Sequence, residues 1–354
     1  MYSFWLQANT MNLSLEKLLQ RLVGRGTQLA ASTPVRDART PTSIRLKPET
    51  KHFLEAQAQV LNTSVQGLID AILDGVVAAT TDDPTSRLRA IRERFFLLME
   101  AHGLDLPAAV ELMAPFGFTL STLNSVDRLL DLMTPAAINH LADAFHVRSE
   151  WLRGDGNQTI RSGGYVHWYK EVPGTAQRLV ALAAAGKKPE LMFIRRRGAD
   201  FEGAFKDNDQ GNAPREPIGI VMRMRHETPS GTHFTTYEVW QFERWNYGPC
   251  RQDLKLLLAF CEQFRVFTVG HELPEEDLDQ LVRGAQLPVT LLDRLGAMSW
   301  HPDDYAGFRF EITQERGEWL GVAERYRKSS LPKIAAEAGA AELPDEPWRP
   351  KAPA

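Results

Sequence analysis

Residues 42 to 47 read Thr-Ser-Ile-Arg-Leu-Lys, alternating polar and apolar, and Pro48 follows at once. A period of two is that of a half-buried strand. It turns Ile44 and Leu46 to one side and Ser43, Arg45 and Lys47 to the other. A lone strand this short is not stable in water. It requires a partner, and the simplest partner is the same strand of a second copy. Two amphipathic helices follow, joined by Leu61-Asn62-Thr63-Ser64. Phe53, Ala56, Val60 and Leu61 define a stripe on the first. Asn62 suits a left-handed turn, and Ser64 suits the N-cap of the second helix. There Val65, Leu68, Ile69, Ile72, Leu73, Val76 and Val77 form a broad apolar face. About forty residues with that much apolar surface are too few for a monomeric core, so dimerisation is the natural remedy.

A paired ribbon carrying two sets of Ser, Arg and Lys fits the major groove of DNA. Residues 42–79 thereby resemble the ribbon-helix-helix family of DNA-binding proteins, the Arc and MetJ type, with Asn62 where that family usually has Gly. The resemblance implies a homodimer on double-stranded DNA. It implies base readout from Ser43 and Arg45, with Lys47 beside them. A phosphate would be held by the amides at the start of the second helix, near Ser64 and Val65.

The chain has 354 residues, enough for two or three domains. Its net charge of −4 does not advertise nucleic-acid binding, but the charge is unevenly spread. Residues 1–80 hold eight Lys/Arg against six Asp/Glu, whereas residues 81–160 hold seven Arg against eleven acids. A DNA-facing surface therefore belongs near the N-terminus. Cys250 and Cys261 make no metal or disulfide framework and read as reduced, buried thiols of a cytoplasmic protein. No signal layout and no apolar run of membrane length is present in the sequence.

Five stretches follow from pattern. Residues 1–41 form a flexible arm, with Arg36 and Arg39 just before the ribbon, and residues 42–80 are the ribbon-helix-helix segment. Thr80 to Ser86 reads as a linker, and residues 81–158 as a helical domain. Within it, Leu88, Ile91, Phe95, Leu98 and Met99 mark one helix, Ala108 to Phe116 a second, and Thr119 to Leu130 a third after a Gly117-Phe118 turn. Thr134-Pro135 opens a fourth as N-cap and first turn, burying Ile138, Leu141, Ala142 and Phe145. Together with Leu141-Ala142 through Trp151-Leu152, the run Gly117-Phe118-Thr119-Leu120-Ser121-Thr122-Leu123 resembles the lambda-repressor and Cro type of helix-turn-helix, a five-helix bundle. The resemblance implies that Leu120, Ser121, Asn124 and Ser125 face bases. None is Arg, Lys or Gln, Asp127 and Asp131 follow, and Ala108-Ala109 stand where a polar phosphate contact is usual. Weak DNA binding and a dimerisation or protein-partner role for residues 87–155 both remain open.

Residues 159–330 read as an α+β sensor or oligomerisation domain with a mixed, mainly antiparallel sheet, the role resting on fold-level analogy, and 331–354 as a disordered tail rich in Ala, Pro and Glu. Strands are expected at Tyr165–Tyr169, Glu190–Arg195, Ile218–Met224, His233–Trp245 and Val266–Val269, with Thr228-Pro229-Ser230-Gly231 as a hairpin turn. Helices are expected at Ala176–Ala185 and Leu254–Phe264, and an exposed loop at 201–216. The basic cluster Lys187, Lys188, Arg195, Arg196 and Arg197 reads as an anion site or as a solvated strand end. The aromatics Trp168, Tyr169, Trp240, Phe242, Trp245 and Tyr247 read as a pocket wall or as core.

His226-Glu227 and His271-Glu272 begin like a zinc helix motif, but Ser230 and Glu275 stand where the second histidine would be. No P-loop, dinucleotide glycine pattern or self-cleaving Ser/Lys turn occurs. No catalytic residue, metal or cofactor is assigned. The sequence thus describes a mainly α, multidomain chain with an α+β C-terminal domain. The expectation is a non-enzymatic, homodimeric or larger transcriptional regulator, with repression favoured over activation. Alternatives are a partition, relaxosome or antitoxin role, or a C-terminal domain with an activity of its own.

Overall fold

The computed structural model describes residues 45–60, 63–80, 84–161, 166–207, 215–307 and 315–341, and the chain divides into two units, 1–87 and 88–354. In the first, α1 (Pro48–Val60) and α2 (Val65–Thr80) pack against each other. Leu54 and Ala58, one turn apart, are the buried residues of α1. The expected stripe is displaced: Phe53 is 61% exposed and Ala56 is also exposed, because α1 meets α2 through the neighbouring face. On α2, Val65, Leu68 and Ile69 are partly covered, whereas Ile72 and Leu73 are 49% and 48% exposed. Arg45, Leu46 and Lys47 enter α1 without strand pairing among the described residues. Thr42, Ser43, Ile44, Leu61 and Asn62 lie outside the described residues, as does the arm 1–41.

The second unit is organised by a four-stranded sheet of β1 (Glu190–Arg196), β2 (Pro217–Glu227), β3 (His233–Arg244) and β4 (Phe267–Leu273). The strand order is β3-β2-β1-β4. β2 is antiparallel to both β1 and β3, and β1 is parallel to β4. Successive side chains of a strand point to opposite faces, and here both faces are apolar. Leu191, Phe193, Ile218, Ile220, Met222 and Trp240 lie in one core, and Met192, Ile194, Val221, Tyr237, Val239 and Val269 in the other.

Each face is covered by helices. On the first face lie α9 (Val172–Ala184), α11 (Gly248–Phe264), α14 (Arg316–Lys328) and α15 (Leu331–Glu337). The second receives α12 (Glu275–Arg283), α13 (Pro288–Leu292) and a bundle of α3 (Pro84–Ala101), α4 (Leu106–Met113), α5 (Leu120–Leu123), α6 (Val126–Leu132), α7 (Pro135–Phe145) and α8 (Ser149–Leu152). The bundle and the sheet therefore share one apolar core. At the β4 edge, the amides of Ser299 and Trp300 donate to the Gly270 carbonyl, and the Glu272 amide donates to Ser299 Oγ. A Cβ at Gly270 would lie 2.4 Å from the Trp300 carbonyl oxygen, so only glycine allows this approach.

Several expectations are corrected. Tyr165 lies outside the described residues, and Val166–Trp168 is not a strand, although the Val166 carbonyl accepts from the Gln241 amide beside β3. The expected loop 201–216 begins with a helix, α10 (Phe201–Asp207), which buries Phe201 and Ala204. The strand placed at Val266–Val269 runs instead from Phe267 to Leu273. The expected tail begins with α15, anchored by buried Leu331 and Ala335 one turn apart. The third bundle helix is broken into α5 and α6, so the described bundle has six helices rather than five.

Ile194→Ala removes apolar volume from the core that bundle and sheet share. It should cost about 2–5 kcal/mol, the range for a buried Ile-to-Ala change. Native-state hydrogen exchange at pH 7.5 should show lower protection in α7 as well as in β1. Loss confined to β1 would mean that the bundle does not depend on the sheet.

Candidate nucleic-acid interface

The arm leading into α1 carries two exposed cations, Arg45 and Lys47. The Lys47 carbonyl accepts from the Lys51 amide at 2.9 Å, so the chain passes directly from the arm into helix. At the start of α2, Ser64 Oγ accepts from the Gly67 amide at 2.9 Å and its carbonyl accepts from Leu68. Ser64 is therefore the N-cap, as its residue type indicates. The amides of Val65 and Gln66, in the first turn, have no intrahelical acceptor by helix geometry. A 16-residue helix adds its dipole at that end. Such an end attracts phosphate, and Ser64 and Val65 are where that capacity lies. Arg45, Lys47, Ser64 and Val65 all belong to the first unit; Ser43 lies outside the described residues.

In the second unit, α4 and α5 touch. Asp105 caps α4 by accepting from the Ala108 amide, and Ala108 and Ala109 are fully buried, so they serve the core. Gly117 takes a positive φ of 78° to end the first segment. Thr119 and Thr122 then cap α5 reciprocally, and Ser121 Oγ lies 3.0 Å from Thr119 Oγ1.

This four-residue helix stops at Asn124, and Ser125 caps α6 by accepting from the Arg128 amide at 3.5 Å. Short polar side chains that bond the backbone interrupt helices in this way. Of the four residues expected to face bases, Leu120 and Ser121 sit on α5, whereas Asn124 and Ser125 occupy the break. All but partly covered Ser125 are exposed. The carboxylate of Glu111 on α4 accepts from the Ser230 amide at 3.1 Å, joining α4 to the β2–β3 turn.

Sequence reasoning missed a cluster on the far side of the sheet. Lys255 is fully buried on α11, with its ammonium between the carboxylates of Glu315 and Glu318. Arg251 donates to both oxygens of Glu318 at 3.0 and 3.3 Å and to the Trp245 carbonyl at 2.6 Å. Burial works against the Glu318 charge, but Lys255 and Arg251 hold its carboxyl below the usual range. Phe201 stacks on Trp245 at 4.2 Å, and Arg195 lies over Phe201 and Trp300 while donating to Glu272. A cavity of about 530 Å³ opens beside these groups, lined by Arg195, Asp200, Phe201, Phe205, Tyr305 and Glu315. Its sequence signal is Lys255 alone in the apolar run Leu254-Lys255-Leu256-Leu257-Leu258.

The basic cluster anticipated around β1 does not form one patch. Lys187, Lys188 and Arg197 are exposed, Arg195 turns to Glu272, and Arg196 pairs with Glu216 at 3.0 Å. Trp168, Trp240 and Trp245 are core. His226-Glu227 and His271-Glu272 lie on strands, not helices, and among the described residues no cluster of His, Cys, Asp and Glu could hold a metal. Burial pushes both Cys250 and Cys261 thiols up, which leaves them inert as nucleophiles.

No protein-family model, curated protein or solved structure matches this chain.

Two substitutions test the local physics. Lys255→Ala leaves two buried carboxylates without their ammonium and should destabilise the second unit by about 3–5 kcal/mol in urea denaturation. Ser64→Ala removes the cap of α2 and should cost about 0.5–2 kcal/mol. Wild-type stability for Lys255→Ala would show that the carboxylates find other partners.

Proposed function

We propose that this chain is a sequence-specific, DNA-binding transcriptional regulator that works as a homodimer or larger assembly, and that residues 42–79 of two copies form the DNA-contacting element. The observation carrying this reading is the apolar surface left open among the described residues of the first unit. Its helix pair leaves Phe53, Ile72 and Leu73 in water, directly beyond an arm that presents Arg45 and Lys47. Apolar surface left open on so small a unit is best covered by its own copy, related by a two-fold axis. Pairing two copies of the arm would set Ser43, Arg45 and Lys47 in duplicate toward a groove, with the capped ends of α2 against the flanking phosphates.

Repression is the simpler mode, since occupying an operator occludes it. The helix-turn-helix-like stretch then acts through protein contact more than base readout. Ser121 lies against its own N-cap, the helix is one turn long, and no Lys or Arg occurs between Thr119 and Asp127. A cytoplasmic location belongs to the same reading; among the described residues no helix is long and apolar enough to cross a membrane. A second reading, an activity or effector site in the C-terminal part, is favoured by the cavity beside Tyr305 and Glu315.

Genomic footprinting would supply the operator. On it, Arg45→Ala should weaken specific binding by about 1–3 kcal/mol, the value of a bidentate base contact. Ile72→Asp should abolish dimerisation and DNA binding together, read by sedimentation and mobility shift. The pair Ser121→Ala and Asn124→Ala should leave affinity and its salt dependence nearly unchanged. Unaltered affinity for Arg45→Ala, or a folded monomer that still binds the operator, would overturn the proposal.

A further inference from the structure

Four rings line up across the contact between bundle and sheet. His102, just after α3, meets Phe145 of α7 at 4.5 Å between centroids. Phe145 meets Phe234 of β3 at 5.8 Å, and Phe234 is stacked on His226 of β2 at 4.9 Å and 19°. The column begins and ends on histidine. Its bundle end is buried, and His102 Nδ1 lies 2.8 Å from the Leu98 carbonyl. A carbonyl only accepts, so Nδ1 carries the hydrogen and Nε2 is the atom that would take a proton. At the other end, His226 Nε2 lies 2.8 Å from Thr236 Oγ1. A third ring, His146, caps α7 at φ 54°, and its buried Nε2 has no hydrogen-bond partner among the described residues.

The charges around the column compensate added protons only in part: Asp293 favours a charge on His102, and His226 opposes it. Asp293, after α13, faces His102, but its carboxylate accepts from the Tyr237 hydroxyl at 3.0 Å. Lys187, ahead of β1, and His146 oppose a charge on His226. Glu238 of β3 and Asp143 of α7 would favour a charge on His146, but Arg178 of α9 opposes it and holds Glu238 at 2.6 Å. A cation over a phenyl ring gains less than its burial costs unless a counter-charge is present.

We propose that this ring column is a pH-sensitive latch: proton uptake by His102 and His226 releases the helical bundle from the sheet, while the core on the opposite face, around α11, stays closed. Burial holds both His102 and His226 down to about 4, from an ordinary value near 6.5. Both are thus neutral when docked and take up protons when the contact opens. The latch is at full strength above the open-state value and weakens as pH falls from 6.5 toward 4. Between pH 7 and 5, where most carboxylates stay ionised, each histidine should shift the docking equilibrium roughly twentyfold toward the open form, and the two together a few hundredfold.

The test uses the full chain. Hydrogen exchange, corrected for the intrinsic pH dependence of the rate, should lose protection in 135–145 and 233–236 on going from pH 7 to 5, with 248–264 retained. The variants H102Q and H226Q should each flatten that pH dependence. Histidine titration by NMR on the wild-type chain gives a reading that does not depend on the variants folding. Two rings titrating well below the ordinary value support the latch. Titration of both near 6.5, protection unchanged between pH 7 and 5, or uniform loss that includes 248–264 would each overturn it.

Discussion

A sheet that is apolar on both faces must be kept from water twice, and this constraint governs the second unit. Its strands alternate Leu191 and Phe193 against Met192 and Ile194, so uncovering either face costs apolar burial. One face is closed by α9, α11, α14 and α15, helices that come from before, between and after the strands. The other is closed by α12 and α13 together with the helical bundle, which supplies Phe95, Leu98, Leu141 and Phe145 to the same core as Val221 and Val239. At about 25 cal/mol per Å² of apolar area, covering several large side chains on each face outweighs any single polar contact in this unit. The bundle is thus part of the sheet's solvent shield before it is anything else, and the turn at Ser230 bonded to Glu111 follows from that docking.

The Lys255 cluster is explained differently. Burying an ammonium between two carboxylates and a guanidinium gives little net stability, because desolvation offsets most of the Coulombic gain. Its effect is on specificity. Glu315 and Glu318 stand at the start of α14, and their pairing with Lys255 and Arg251 ties that end of the helix to α11. The chain between α13 and α14 is long, and this contact fixes where it returns.

What could be read from the sequence followed the strength of local pattern. The β2–β3 hairpin was legible because Ile218, Ile220 and Met222 alternate cleanly and Thr228-Pro229-Ser230-Gly231 has turn chemistry. The start of α7 was legible from Thr134-Pro135. By contrast, α10 was hidden by the polar run Asp207–Asn212 just after it, and α15 by its Ala/Pro composition, although Leu331 and Ala335 show helical spacing. Thr119–Leu130 reads as one apolar-periodic helix, and the break arises from backbone bonds by Ser125 and Thr122 that periodicity ignores. The exposed cations and the Ser64 cap of the candidate interface were readable from residue type. The ion cluster was not, because Lys255 and its carboxylates are about sixty residues apart and meet only through the fold.

Sheets grow at their edges, since an outer strand offers unpaired amides and carbonyls to any extended chain. Here both edges are blunted by short crossing segments. Val166 takes the Gln241 amide beside β3, and Ser299 and Trp300 close over Gly270 and Glu272 of β4. Neither segment is a strand, so neither presents a fresh edge of its own. The closeness of Trp300 to Gly270 makes this guard depend on one missing methyl group: a side chain at 270 would push the cover away and expose a template for strand addition. The same two short segments thus limit strand addition at either edge of the sheet.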